Sequence, residues 1–330
     1  MRLRYAKLKH GNFGDDLNPW LWPKLWPEIF DDDNEVRFMG IGSMLSVVER
    51  HFHENQRIVV FGTGAGYAGL PEFRTGKKFP WHFETSATQL VNNPETLEAF
   101  QNPNLHVYCV RGPLTTRLLN LDEKLAITDA AVLVRKVAPL QASDADQISF
   151  MPIHRTALAT DYKEICDQLS FQYIDPCEGV EQVLEKLRRT KILISEALHG
   201  AIVADALRIP WIPVVSNPTV LRFKWEDYCL SLGMPYNPTR ILPVWNYEKL
   251  IAHFGSAIPS RMRLMAKFHI WNENRKNMDH ALESLLMASA RPPYLSNDKR
   301  LLRAVERLEE KFDDFKKDSS SGVFALGKTS

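Results

Sequence analysis

The stretch KILISEALHGAIVADALRIPWIPVV, residues 191–215, decides the fold class. KILIS reads as a buried strand, GAIVADALRIP as a helix packed through small residues, and IPWIPVV as the next strand. A helix between two such strands is the βαβ unit of a parallel sheet. His199 then stands near the carboxyl end of the first strand, where ligands of open α/β sheets bind. Burial and neighbouring charge can tune an imidazole there for general acid or base work, while a structural role competes for the same residue.

The alternation of short apolar runs and helix-like segments extends on both sides of this unit. In the first half the candidate strands are residues 36–42, 57–64, 105–111 and 126–134. A second series starts near residue 147 with QISFMPIH and continues through FQYIDP, each run followed by a plausible helix such as VEQVLEKLRRT. Two similar α/β halves follow, joined by the polar, turn-rich residues 135–146. The composition turns helical from about residue 256, where KRLLRAVERLEEKFDDFKK carries Leu301, Val305, Leu308, Phe312 and Phe315 at three-four spacing. That is an amphipathic helix suited to packing on a domain or a partner subunit. Its polar face mixes acids and bases, which disfavours a membrane-surface role. The expected units are residues 1–140, 141–255 and a helical extension, 256–330.

The bulk numbers exclude several classes of function. The 330 residues carry 41 Lys and Arg against 40 Asp and Glu, a net charge of +1 that makes no electrostatic case for nucleic acid. Four cysteines, Cys109, Cys166, Cys177 and Cys229, are scattered without a CxxC pair, which argues against a zinc site or a disulfide framework. The basic start MRLRYAKLK lacks an apolar core behind it, and no run approaches the length of a membrane span. A cytoplasmic protein is expected, without a metal.

Several strand ends, and one Gly-containing stretch leading into a helix start, carry chemistry-bearing residues. KHGNFGDDLN places Asn12, Gly14, Asp15 and Asp16 before a Trp- and Pro-rich segment, where they could hold an anion or a sugar hydroxyl or could simply cap a helix. The absence of GK[ST] sets ATP aside. VVFGTGAG brings Gly62, Gly64 and Gly66 to a strand tip, where backbone can approach a ligand closely. As a dinucleotide fingerprint it is incomplete. CVRGPLTTRLL sets Arg111 beside a helix start, where an anion would be welcome, and ITDAAVL puts Asp129 at a similar turn. Taken singly, each reads more readily as a surface ion or a cap than as a catalytic residue.

Together these pieces resemble the polysaccharide pyruvyltransferase family, especially its bacterial exopolysaccharide branch. GNFGDDLN, GIGS, FGTGAG, VRGPLT, TDAAVL, FMPIH, ISEALHGAIVADALRIPWIPV and KWEDY occur in the family's order over roughly residues 8–230. The resemblance implies two Rossmann-like domains in a GT-B-like arrangement, the first on the acceptor side and the second on the donor side, with the active site between them. It implies transfer of the enolpyruvyl group of phosphoenolpyruvate to two hydroxyls of one sugar, forming a cyclic ketal without any cofactor. The acceptor would be a sugar, within a lipid-linked oligosaccharide at the inner face of the plasma membrane, reached by peripheral attachment or partner contact through the C-terminal helices.

The family's Leu-His pair falls on Leu198 and His199, with Gly200 beside it, and its RGP arginine on Arg111. His199, Arg111 and Asp15 are the expected catalytic residues. Asn12, Gly14, Asp16, Gly64, His154, Leu198 and Gly200 are expected to bind substrate. Many members carry an arginine directly before the Leu-His pair, whereas this chain has Ala197. A polyanionic donor then needs another cation, for which Arg155, Arg222 and Lys224 are the candidates. Trp20, Trp22 and Trp81 could stack on a sugar, although core packing suits most of them. A nucleotide-sugar glycosyltransferase and a noncatalytic sugar-binding component of an assembly complex are the alternative readings.

Overall fold

The computed structural model of the chain describes residues 1–31, 35–46, 48, 56–66, 94–138, 145–217, 219–254 and 277–321. The strands are β1 (Arg2–Leu3), β2 (Val36–Met39), β3 (Arg57–Phe61), β4 (Leu105–Cys109), β5 (Gln147–Met151), β6 (Gln172–Tyr173), β7 (Thr190–Ser195), β8 (Trp211–Val215) and β9 (Thr239–Arg240). The helices are α1 (Phe13–Leu25), α2 (Pro94–Ala99), α3 (Pro113–Leu118), α4 (His154–Ala157), α5 (Tyr162–Gln168), α6 (Val180–Arg188), α7 (Leu198–Ala206), α8 (Arg222–Ser231), α9 (Tyr247–Phe254), α10 (277–289) and α11 (Asp298–Ser320).

Two parallel sheets carry the fold, one ordered β1-β2-β3-β4 and the other β6-β5-β7-β8-β9. The strands read as continuous apolar runs because both faces are covered: Ile58, Val59, Val60 and Phe61 are all fully buried, as are Leu193 and Ile194. The strand order of the second sheet switches sides at β5, whose parallel neighbours are β6 on one side and β7 on the other. Chain leaving β5 and chain leaving β7 therefore diverge, and the crevice between them opens at their carboxyl ends.

The run 126–134 does not form a strand. A short parallel bridge, Val110 to Ala126, extends the first sheet, and Ala130–Lys136 then winds as a 3-10 helix. The Asp129 side chain accepts the Ala131 N–H and starts this turn. Its small buried alanines let it pack against α7 of the other half instead of pairing with a neighbour. Apolar content alone does not distinguish these outcomes.

Helix α1 continues through two internal prolines. Pro19 cannot donate to the Asp15 carbonyl, and the Asn18 side chain supplies that bond at 3.0 Å. Asn18 also bonds both backbone groups of Ile41, at 2.9 Å each, which ties α1 to the tip of β2. Trp22 is fully buried edge-on to Phe38 and Phe61, so it belongs to the core. Trp20 instead donates to Glu181 on α6.

Helix α11 returns to the first sheet. Leu301, Val305, Leu308, Phe312 and Phe315, the residues of its apolar stripe, are buried. Phe312 stacks on Trp26 with ring centroids 3.4 Å apart, and Phe315 meets Phe38 and Tyr108. Trp81, the linker residues 139–144 and the expected helical stretch 255–276 lie outside the described residues. Among the described residues no helix is long and apolar enough to cross a membrane.

Candidate active site

The carboxyl ends of both sheets supply one cluster of polar residues. From the first sheet come Asn12–Asp16 after β1, Gly42 after β2, Thr63 after β3 and Asp129 after the Val110 bridge. From the second come His154 after β5, His199 after β7 and Lys224 after β8. His199 occupies the first turn of α7, and its Nδ1 lies directly over Gly14: a methyl group built there would sit 2.0 Å from that nitrogen. On the other side of the ring, Nε2 is 3.6 Å from Asp129 Oδ2.

Three buried polar atoms in this region, His199 Nε2, Asp129 Oδ2 and Thr63 Oγ1, make no hydrogen bond among the described residues. Buried polar atoms are nearly always satisfied, so a concentration of exceptions marks a place where a ligand or a rearranged bond belongs. Gly42, at φ +131, borders both Asp15 and Thr63: a Cβ built there would lie 3.6 Å from Asp15 Oδ1 and 4.0 Å from Thr63 Oγ1, ordinary contact distances.

Asp15 and Asp16 divide the two roles that their motif allows. Asp16 accepts the Asn12 N–H at 2.8 Å and so closes the start of α1. Asp15 accepts from the Asn12 side chain at 2.6 Å and faces the cluster. Burial pushes its carboxyl above the ordinary range, outweighing the Asn12 bond and the charges of His199 and Lys224. A carboxyl that holds its proton more tightly suits a general acid.

His154 is moved in the opposite sense. Burial, with the charges of Arg155, Lys224 and His10 added, pulls it from 6.5 down to about 4. The histidine is therefore neutral in the folded protein at pH 7 and sits among cations. Between pH 6.5 and about 4 the unfolded chain binds the extra proton, so the contribution of His154 to stability is complete above pH 6.5 and is lost as pH falls toward 4. Replacing His154 with Asn is expected to lessen the fall in Tm across that window, measured by thermal unfolding at closely spaced pH values.

Other expected site residues have different work. Arg111 is fully buried and engaged all round: Nε donates to Asp227 at 3.0 Å, one terminal nitrogen to the Gly42 carbonyl and Ser43 Oγ, and the other to the Ala65 carbonyl at 2.6 Å. It clamps the loops after β2 and β3 onto α8, a structural role that the sequence did not reveal. Gly64 is covered by that guanidinium, 2.4 Å from where a Cβ would lie, so the close approach it permits is to Arg111. Gly200 packs in the same way against Met151 Sδ and Ser195 Oγ. The Leu198 side chain is buried in the core, leaving only its backbone to a ligand. Arg222 pairs with Glu226 at 2.6 Å and lies over the Tyr236 ring.

Two positioning residues went unread in the sequence. Fully buried Glu196 accepts the Ser216 N–H and hydroxyl at 2.7 Å, the Asn217 N–H at 2.8 Å and the Ile153 N–H at 3.2 Å. It thereby binds the tips of β5 and β8 around the start of α7. Asp227 accepts the N–H groups of Leu114 and Thr115 at the start of α3 besides pairing with Arg111. The only signal for Glu196 was a lone acid between a buried strand and a small-residue helix, and KWEDY offered none for Asp227.

A family profile described as polysaccharide pyruvyl transferase matches residues 99–218, a span that includes Asp129, His154, Glu196 and His199. The succinoglycan biosynthesis protein ExoV of Rhizobium meliloti (strain 1021) is 32% identical over 244 residues, covering 73% of this chain and 68% of that protein. This chain belongs to the polysaccharide pyruvyl transferase family. As a member it is a transferase enzyme, which sets aside both the nucleotide-sugar glycosyltransferase and the noncatalytic sugar-binding reading. Two solved structures of the wall teichoic acid polymerase TagF align with 96% of the pyruvyltransferase and 89% of their own chains, at TM-scores of 0.38 and 0.36 and 11% and 9% identity. That likeness is too remote to bear on the chemistry. The family match does not reach Asp15 or Lys224, which only the folding of the chain brings to His199.

Proposed function

We propose that this pyruvyltransferase moves the enolpyruvyl group of phosphoenolpyruvate onto two hydroxyls of one sugar, forming a pyruvate ketal. The observation that carries the reading is the meeting of Asp15, His199 and Lys224 where the strands of both sheets end. Arg155 and Lys224, the cations acting on His154, hold the phosphate and carboxylate of the donor in place of the arginine absent at Ala197. The uncapped start of α7 adds backbone N–H groups for the same anion.

Asp15 delivers its proton to the methylene carbon of the donor, while His199 takes the proton of the attacking sugar hydroxyl, which bonds to the adjacent carbon. The C–O bond to phosphate then breaks, and the second hydroxyl closes the ketal as its own proton leaves. Each proton transfer contributes roughly 10²- to 10⁴-fold in rate. The cations stabilise charge that builds on the departing phosphate. The chemistry is redox-neutral and needs no cofactor. The name of the relative, a succinoglycan biosynthesis protein, supports an exopolysaccharide acceptor; the proposed form of that acceptor is a repeat unit carried on a lipid at the inner face of the plasma membrane.

Phosphate release from phosphoenolpyruvate by the purified protein, with glucosyl, galactosyl and mannosyl acceptors, tests this directly. Release that depends on an acceptor, with the acceptor gaining a ketal in its mass spectrum, is the expected result. Consumption of a nucleotide sugar by a protein inert toward phosphoenolpyruvate would overturn it.

A further inference from the structure

We propose that Asp129 is a positioning residue that holds His199 in its Nε2–H tautomer, making Nδ1, the nitrogen over Gly14, the atom that receives the proton of the acceptor hydroxyl. The inference rests on the reading of His199 as the base. Asp129 is fully buried, and one of its oxygens is locked by the Ala131 N–H at 3.0 Å. That bond aims the second oxygen at His199 Nε2, 3.6 Å away, and neither of these two buried atoms has a hydrogen-bond partner among the described residues.

An unsatisfied buried carboxylate oxygen is costly, as is an unsatisfied ring nitrogen. Placing the imidazole proton on Nε2 satisfies both at once, once the gap shortens by about 0.7 Å to hydrogen-bond length. Such bonds are commonly long before substrate arrives. The opposite tautomer would set a nitrogen lone pair against a carboxylate and leave both atoms orphaned. The 3-10 helix that carries Asp129 packs on the helix that carries His199, so the pair is held by secondary structure on both sides. When Nδ1 accepts the hydroxyl proton, Nε2 keeps its own, and the resulting imidazolium is balanced by Asp129. The proton afterwards leaves Nδ1 for the released phosphate or solvent.

Replacing Asp129 with Asn tests the assignment. The amide oxygen can still accept from Ala131, while the amide nitrogen now donates toward Nε2 and forces the proton onto Nδ1. Long-range ¹H–¹⁵N NMR of histidine-labelled protein reads the tautomer without substrate, with the His199 signals identified by their loss in His199→Ala. Wild-type protein is expected to show a protonated Nε2 and the Asp129→Asn variant a protonated Nδ1. The kcat for acceptor-dependent phosphate release is expected to fall by roughly 10²- to 10⁴-fold in the variant, with KM for phosphoenolpyruvate held within about twofold. A wild-type spectrum with the proton on Nδ1, an unchanged tautomer in the variant, or a kcat loss no greater than the loss of folded protein would each overturn the proposal. The NMR result stands apart from the identity of the donor: a protein inert toward phosphoenolpyruvate with the expected tautomers would overturn the reaction alone.

Discussion

Methionine in place of Arg111 is expected to cost the fold about 3–5 kcal/mol, as breaking one side of a buried ion pair does. The substitution keeps much of the side-chain volume but leaves Asp227, itself fully buried, without its countercharge. It also strips donors from the Gly42 and Ala65 carbonyls and from Ser43, in the two loops that border Asp15 and Thr63. Urea unfolding of the single variants Arg111→Met and Asp227→Asn and of the double variant measures the coupling. The double variant is expected to be more stable than the sum of the singles allows, because the second change removes the charge that the first leaves stranded. Equal additivity would show that the two groups do not support each other.

Alanine in place of Gly14 is expected to lower kcat by at least about 10²-fold while leaving the protein folded. The added methyl would sit 2.0 Å from His199 Nδ1 and 2.6 Å from the neighbouring ring carbon. The imidazole must turn aside and His199 Cβ, 3.0 Å from the methyl and fixed to α7, must give by a few tenths of an ångström, a local cost that the better helix propensity of alanine within α1 partly offsets. The base cannot absorb it, since a displaced imidazole no longer meets the hydroxyl. Steady-state rates beside circular dichroism decide the matter: a Gly14→Ala enzyme of full activity would place the reacting proton away from Nδ1. His199→Ala serves as the reference, and the two losses are expected to be similar in size.

The parallel α/β character was legible because strands buried on both faces read as unbroken apolar runs, as in KILIS and RIVVF. The helix at 298–320 was legible too, since its three-four spacing admits one structure. Residues 126–134 were misread because small apolar residues satisfy a strand and a buried 3-10 turn equally, and only the neighbouring α7 chooses between them. In the site, Asn12, Gly14 and Asp15 were picked out in a Gly-containing stretch before a helix, and His154 and His199 at the ends of apolar runs, positions that local pattern reveals. Arg111 was placed at its strand end correctly, while its pairing with Asp227 was not legible.

What the sequence determined by itself is therefore periodic or local: the two series of parallel strands, the amphipathic last helix, and a histidine at a strand tip. Tertiary structure decided which charges meet. Asp227 lies 116 residues after Arg111 and yet satisfies it, while Asp129 faces His199 and Asp15 reaches it from the opposite sheet. Backbone periodicity is set by hydrogen bonds and side-chain spacing within a few residues. The worth of a buried charge depends instead on what is packed against it, and that is known only once both sheets have closed on the same cleft.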